Sequence, residues 1–338
     1  MKTKHISQGL NYPVLIGLLS IGVIFLFGMS LLIGPLAVGV ADAWEGLFSD
    51  SELPLALIMQ EIRLPRAVLG AVIGATLGLA GAVMQGLLRN PLAEPGLLGI
   101  SASASLGAVL AIYTGFSAVF PLGLPIAALM GAVLAVLLIL AIAGMSGSVL
   151  TIILAGIAVS SFAGAMTSLT LNLSPNPFAA LEIVFWMLGS LNDRSMVHVQ
   201  LAVPFIVIGW IMLLSVGRAL DVLTLGEDVA ASSGVNMKRV RLLAIFGTAA
   251  SVGAATAVAG AIGFVGLIVP HILRPLVGAQ PSRLLPASAL GGALLLLAAD
   301  IAVRVIAPER DLKIGVLTAI IGAPFFLWIV LSYRRSLL

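Results

Sequence analysis

Histidine is the side chain in this sequence best suited to metal binding or proton transfer, and its three copies stand on different segments. They are His5, His198 and His271, and there is no cysteine. A zinc hydrolase needs histidines and carboxylates clustered at short spacing. Serines are plentiful, as in GISASASLG at 99–107, but no histidine or lysine stands where a nucleophile's base is expected. The sequence therefore predicts no metal site and no catalytic residue, which argues against an enzyme.

Carboxylates inside long apolar segments would instead mark a carrier coupled to protons or sodium. Only Asp300 and Glu182 qualify, and both stand near the end of an apolar segment. Arg304 lies one helical turn after Asp300, with the acid first, which is the order that favours an ion pair. Two interpretations of Asp300 stay open, a structural ion pair and a carboxylate with a transport role. An ion-coupled secondary carrier has little support beyond it.

The composition of the chain indicates which class of structure positions these residues. The chain has 338 residues, 60% hydrophobic and 9% charged, with mean hydropathy +1.19, whereas soluble domains carry about 25% charged residues. This composition predicts an integral membrane protein. The net charge of +3 is small and scattered, so no nucleic-acid partner is expected. We interpret the apolar run Val14–Val40 as an uncleaved first span, although ADA at 41–43 would suit a signal-peptide cleavage site.

Uncharged runs close to the ~20 residues that cross a bilayer as a helix occur throughout the chain. The ten runs are 14–38, 64–88, 94–113, 120–143, 149–171, 197–217, 241–259, 261–278, 284–303 and 314–333. We predict an all-α integral membrane protein, a single transmembrane domain over 1–338 with about ten transmembrane helices in one bundle. The seventh and eighth runs, separated by Gly260, form either one long helix or a broken one.

Lysine and arginine are unevenly distributed between the two sets of predicted loops. With the N-terminus inside, the inner set has eleven members, Lys2, Lys4, Arg89, Arg218, Lys238, Arg239, Arg241, Arg274, Arg283, Arg334 and Arg335. The outer set has six, Arg63, Arg66, Arg194, Arg304, Arg310 and Lys313. Because positive charge accumulates on the inner side, both termini are predicted to be cytoplasmic.

Small residues predict close helix packing in two segments. The first carries a stripe of glycines, Gly70, Gly74, Gly78 and Gly81. Such spacing lets helix backbones approach closely, and both packing inside the bundle and a contact line beside a pathway fit it. A second small-residue helix occurs at 247–266. The segments 62–171 and 240–333 each hold about four spans and start an odd number of crossings apart, which predicts an inverted repeat.

Two inner segments have patterns of their own. The segment 218–240 carries an amphipathic helical pattern, a predicted helix stop at Gly234 and then a basic cluster. A helix of this kind lies in the membrane interface or docks on a soluble partner. The stretch LLRNPLAEPGLLG at 87–99 is a proline-rich turn, which we place at the cytoplasmic mouth of the bundle.

Four blocks in this order make the chain recognisable: RLPRAVLGAVIGATLGLAGAVMQGLLRNPLAEPGLLGIS, LGEDVAASSGV, GAIGFVGLIVPHILRPLVG and ADIAVR…IGVLTAIIGAPFFLWIV. Together they resemble the permease subunits of ABC importers for iron-siderophores, haem and cobalamin, the FecCD type. The resemblance covers the chain after the first span. It implies a ten-span permease in the bacterial inner (plasma) membrane, which forms the translocation pathway and performs no covalent chemistry.

The resemblance also implies partners and cofactors. The permease pairs with a second copy or a paralogue, with two ATPase subunits inside and a periplasmic substrate-binding protein outside. This chain then binds no cofactor, since ATP and Mg²⁺ belong to the ATPase. The segment LGEDVAASSGV looks like the coupling helix that meets the ATPase, with Gly226, Glu227 and Asp228 at its contact end. Asn90 and Leu92 match family positions at the cytoplasmic gate.

Three arginines match family positions that face acidic residues of the binding protein, namely Arg63 and Arg66 of the RLPR motif and Arg304. Snorkelling of the first two toward lipid phosphates is the alternative. The second gate element precedes span five in the family, and GMSGSVLT at 144–151 is less polar than in cobalamin permeases. On the breadth of the family we expect an iron complex, siderophore or haem, as cargo, with cobalamin as the alternative.

Overall fold

The computed structural model of the protein describes residues 11–49, 53–144, 147–174, 176–308 and 310–337. The described residues form helices and turns, without a β-strand among them. The helices are α1 (Tyr12–Leu32), α2 (Val40–Phe48), α3 (Pro54–Leu57), α4 (Leu64–Leu87), α5 (Ile100–Tyr113), α6 (Phe116–Val119), α7 (Gly123–Ala143), α8 (Val149–Asn172), α9 (Pro177–Met187), α10 (Met196–Ser215), α11 (Gly217–Leu223), α12 (Glu227–Ser232), α13 (Met237–Ala259), α14 (Val265–Leu273), α15 (Pro281–Ile306) and α16 (Ile314–Leu337). A π-helical segment, Ile58–Arg63, joins α3 to α4, and 3₁₀ segments cover Pro95–Leu98 and Arg274–Val277. Of the charges behind the topology prediction, Lys2 and Lys4 lie outside these residues.

Eight of the described helices are long and apolar enough to cross a membrane, with Pro54–Leu87 and Met196–Leu223 each counted as one. Three shorter apolar helices accompany them: α5, α9 and α14 with its extension to Val277. Each of the ten predicted runs contains a helix, so the all-α membrane bundle is confirmed. The third and eighth runs differ from the prediction, because irregular segments at 88–99 and 260–264 leave only short helices there.

Ion pairs between helix ends define two ends of the bundle. Arg66, at the start of α4, pairs with Asp300 near the end of α15, and we name this the Asp300 end. Arg241, near the start of α13, pairs with Glu227 in α12, and we name this the Glu227 end. Gly86, near the end of α4, lies against Leu220 of α11, which leads into α12. The helix α4 therefore ends at the Glu227 end, where α13 begins, and the two helices run in opposite directions.

The order of elements is the same in both halves of the chain. The long helix α4 is followed by an irregular segment, the short α5 and the long α7 and α8. The long helix α13 is likewise followed by an irregular segment, the short α14 and the long α15 and α16. Because the two series start in opposite directions, this order supports the predicted inverted repeat.

The second span begins at Pro54 rather than at the predicted residue 64. The predicted run starts at 64 because the charged Glu61 and Arg63 precede it. In the added part of the span, the amide nitrogen of Gln60 donates to the carbonyl oxygens of Gly46 and Ser49 at the end of α2 (3.1 and 3.0 Å). Pro65 has no N–H and would crowd the carbonyl of residue 61 in a regular α-helix. The chain widens to a π-turn before it, in which the Leu64 N–H donates to the Met59 oxygen.

The glycine stripe of α4 is a packing surface. A Cβ atom added to Gly78 would lie 2.0 Å from the carbonyl oxygen of Ser288 in α15, and one added to Gly81 would lie 2.0 Å from the oxygen of Gly266 in α14. These distances leave no room for a methyl group, so the backbones of α4, α14 and α15 are in direct contact. The packing interpretation of the stripe is confirmed, and these helices form the rigid centre of the bundle.

The break after α13 follows from backbone geometry. Gly260 has φ +74° and lies against the Trp186 carbonyl oxygen, where a Cβ atom would come within 2.4 Å. Phe264, with φ +68°, is the N-cap residue immediately before α14. The seventh and eighth runs are therefore a broken pair rather than one helix.

Replacing Gly78 by alanine should destabilise the bundle by about 1–3 kcal/mol, because the new methyl group meets backbone that cannot move aside. The matched control is Gly28→Ala on α1, where an added Cβ atom meets nothing within 4 Å. The measurement is the denaturant midpoint of the purified protein in detergent. Equal midpoints for the two variants would contradict the packing role of the stripe.

Candidate functional site

At the Asp300 end, one carboxylate lies between two arginines. Asp300 is 1% exposed. Arg66 contacts its Oδ1 through Nε at 2.9 Å and Nη2 at 2.8 Å, and Arg304 contacts its Oδ2 through Nη2 at 2.7 Å. The ion-pair interpretation of Asp300 and Arg304 is confirmed. A buried carboxylate needs such partners, since burying it alone would be strongly unfavourable.

Arg304 also donates hydrogen bonds to the end of α1. Its Nη1 donates to the Ser30 carbonyl oxygen at 2.9 Å and its Nη2 to the Ser30 hydroxyl at 2.7 Å. The last carbonyls of a helix lack partners within the helix and carry partial negative charge. Arg304 therefore joins α1 to α15 while it holds Asp300.

Arg63 also binds carbonyl oxygens at the end of α1. It is 4% exposed, and its Nη1 donates to the carbonyl oxygens of Leu31 and Leu32 at 2.8 and 2.9 Å. A third bond runs from Nη2 to the Leu36 oxygen. Gly34 makes room for the guanidinium, since a Cβ atom there would lie 2.9 Å from Nη2. The described hydrogen bonds of Arg63 thus go to backbone carbonyls at and just after the end of α1, and they connect this end to the second span.

A cavity of ≈ 380 Å³ opens beside these arginines. Its lining includes the mostly buried Arg66 and Arg304, which are 16% and 9% exposed. Asn192 and the exposed Asp193, Arg310 and Asp311 also line it, and we call these more exposed residues its rim. The site therefore offers two guanidinium groups below an opening that also carries polar groups of both charges.

The rim residue Asp311 is ionised at neutral pH. Partial burial would raise the pKa of Asp311, but hydrogen bonds from Lys313 and Asn192 outweigh it and hold that pKa below its ordinary value. Its stabilising contribution is present above the unfolded-state pKa of about 4 and is lost as the pH falls through the lower folded-state pKa. Asp311 therefore keeps its negative charge over the physiological range.

The predicted coupling segment at the Glu227 end is two short helices rather than one. Gly226, with φ +118°, separates α11 from α12, and Glu227 and Asp228 lie in the first turn of α12 as predicted. Leu225 and Val229 are exposed although they fit the amphipathic pattern. The start of α12 and the residue before Gly226 thus present two acids and two exposed apolar side chains, a composition suited to contact with another protein.

The predicted gate residues lie in a tight turn at the same end. The Asn90 side-chain oxygen accepts from the Leu92 N–H at 2.9 Å. Behind the turn, the buried Gln85 donates to the Leu267 oxygen at 3.3 Å and accepts from Arg274. Sequence reasoning gave no sign of this link between α4 and α14, because its partners are far apart in the chain. Met145 and Ser146 of the second gate segment lie outside the described residues.

The sequence profile of the FecCD transport family matches residues 22–332. The chain belongs to the FecCD transport family. It is 42% identical over 274 residues to the cobalamin import permease BtuC of Halobacterium salinarum, covering 81% of this chain and 73% of that one. It is 36% identical to the hemin transport permease HmuU of Yersinia pestis, covering 96% and 97%. A metal-chelate type ABC transporter solved in an inward-facing conformation is 32% identical, with TM-score 0.83 over 95% of this chain and 99% of that one.

Membership of the FecCD family gives the class of function. The protein is a multi-pass membrane permease of an ABC importer, and it is a transport subunit rather than an enzyme, since ATP hydrolysis lies in separate partner subunits. The relatives differ in cargo, so family membership alone does not choose between an iron complex, haem and cobalamin.

Replacing Asp300 by asparagine should destabilise the protein by about 3–5 kcal/mol, because two arginines lose a buried counter-ion. The control is Glu182→Gln, which removes an exposed carboxylate from α9. Both variants are compared by denaturant unfolding in detergent at neutral pH. A midpoint for Asp300→Asn equal to that of the control would show that the carboxylate does not hold the arginines together.

Proposed function

We propose that this protein carries an iron complex, siderophore or haem, inward across the bacterial inner membrane, with the Asp300 end outside and the Glu227 end in the cytoplasm. The observation that carries the proposal is the contrast between these ends. One presents guanidinium groups at the base of an open cavity, and the other presents exposed acidic and apolar residues on a short helix. Each end therefore suits a different protein partner, as expected of a permease between a binding protein and an ATPase.

The partners follow from this arrangement. Two permeases, identical or paralogous, enclose the pathway, two ATPases contact α12, and a periplasmic binding protein delivers cargo at the Asp300 end. ATP binding and hydrolysis bias the pair between outward-open and inward-open arrangements. The turn containing Asn90 and Leu92 closes the cytoplasmic mouth in one of them. ATP and Mg²⁺ stay with the ATPase.

The choice of iron complex over cobalamin rests on the breadth of iron import among the relatives and on the sparse polarity of 144–151. Ferric dicitrate permease FecD of Escherichia coli is 36% identical to this chain, as is the hemin permease, against 42% for the cobalamin permease. Identity alone therefore does not decide the cargo.

Of the three arginines assigned to binding-protein docking, Arg66 and Arg304 line the cavity. Their guanidinium groups share one counter-ion, Asp300, so an acidic side chain that reaches these two arginines would be attracted to them, while Asp193 and Asp311 on the cavity lining disfavour acids elsewhere in the opening. Arg63 lies beneath this surface with its described bonds directed to α1. We include Arg63 in the docking site because its bonds position the end of α1.

ATP hydrolysis by the assembled complex tests the proposed function. The permease is purified with its ATPase, and the binding protein is added loaded with a ferric siderophore, haem or cobalamin. We expect one iron complex to raise the ATPase rate above that with the empty binding protein. Stimulation by cobalamin alone would establish the alternative cargo, and a rate indifferent to every loaded binding protein would contradict an importer.

Replacing Arg66 by glutamine should slow association with the binding protein about tenfold at low ionic strength, because the cavity loses a positive charge. Arg283→Gln, at the other end of α15, is the control. Association is followed by surface plasmon resonance at two salt concentrations, with unfolding midpoints measured on the same samples. Unchanged association of the Arg66 variant at low salt would remove this residue from the interface.

A further inference from the structure

Arg241 joins three elements at the Glu227 end. Its Nη2 forms the ion pair with Glu227 in α12, and its Nη1 donates to the Gly147 carbonyl oxygen at 3.1 Å. The residue itself lies in the second turn of α13, and its side chain is mostly buried. One guanidinium therefore connects α12 and α13 to the segment that precedes α8.

The contact at Gly147 is in effect a contact with α8. Gly147 is followed by Ser148, whose hydroxyl caps the helix by accepting from the Thr151 N–H at 3.1 Å. A cap of this kind ties the backbone before a helix to its first turn. A displacement of Gly147 is therefore passed to the start of α8.

The helix α8 is less firmly held by its own chain than the central helices. Only 28% of its apolar window is buried, against 83% for the second span, and Leu150 and Leu154 are exposed. Among the described residues α8 packs mainly against α5, α7 and the Pro95–Leu98 segment rather than against α4, α14 and α15, so its movement relative to those central helices would break few direct contacts.

The same helix lies against the turn that carries the gate residues. A Cβ atom added to Gly156 of α8 would come within 2.2 Å of the Leu97 oxygen, and one added to Gly99 within 3.0 Å of the Ser160 nitrogen. These contacts leave no space between α8 and residues 97–99, so a movement of α8 toward them must displace this part of the 88–99 segment. A continuous line of contacts thus runs from α12 through Arg241 and α8 to residues 97–99, in the segment that also carries Asn90 and Leu92.

We propose that Arg241 is the positioning residue that transmits movement of α12 to α8 and so to the gate turn. The proposal rests on the proposed function, in which the ATPase moves α12. Only a guanidinium presents separate donors to a carboxylate and to a carbonyl in a fixed geometry, whereas lysine presents one compact charge. The neighbouring Lys238 and Arg239 are exposed and supply a matched control on the same helix.

The test uses the assembled transporter in proteoliposomes, with Arg241→Gln compared with Arg239→Gln. We expect both variants to assemble with the ATPase and to hydrolyse ATP. Cargo transported per ATP should fall at least about fivefold in Arg241→Gln and should be unchanged in Arg239→Gln. Arg241→Lys, which keeps the charge near Glu227, should recover part of this loss.

A second measurement separates transmission from general support of the fold. The chain has no cysteine, so Ala231→Cys in α12 and Leu150→Cys in α8 can each carry a spin label alone. With Arg241 present, addition of ATP should change the spectra of both labels. In Arg241→Gln the α12 label should still respond while the α8 label no longer does.

Equal responses of the α8 label with and without Arg241, or an unchanged transport ratio in Arg241→Gln, would overturn the proposal. Loss of both label responses together with loss of assembly would also overturn it, because Arg241 would then serve the fold rather than transmission. If the unmodified complex shows no ATP-dependent transport, the proposed function fails instead. The two failures are therefore distinguishable.

Discussion

The shared carboxylate of Asp300 is the interaction on which the Asp300 end of the molecule depends. It is buried and accepts from both Arg66 and Arg304, so it holds two positive charges close together where they would otherwise repel. Arg304 then has donors left for the end of α1, which Arg63 also closes. Asp300 and the three arginines thus fix three helices at one end. Two of the arginines, Arg66 and Arg304, also line the cavity.

Close backbone contact complements this ionic junction. The glycines of α4 bring α14 and α15 into contact without intervening side chains, so the centre of the bundle is closely packed. The outer helix α8 packs instead on α5, α7 and the 88–99 segment, and Arg241 connects the segment before it to α13. A closely packed centre beside a helix that makes few contacts with it suits the proposed mechanism, because a force applied at one end can then move α8 without unpacking the core.

The structural features that depend on residues close together in the sequence could be predicted from local patterns. Uncharged runs of span length located ten of the described helices, and the spacing of Asp300 and Arg304 predicted their ion pair. The partner of Arg66 could not be predicted, since Asp300 is distant in the chain and only the fold brings them together. The early start of the second span was missed because Glu61 and Arg63 interrupt the uncharged run, although the end of α1 accepts hydrogen bonds from Arg63. The helix α9 was missed because it is too short for a span-length pattern.

The most direct test of the account is sided transport by the assembled complex in proteoliposomes, with cargo-loaded binding protein on one side only. A cysteine at Ala231, labelled with an impermeant reagent, reports which side carries the Glu227 end. The account predicts that cargo crosses only when ATP is on the side of Ala231 and the binding protein is on the other. Accumulation that proceeds without ATP or the ATPase and follows an ion gradient would contradict it.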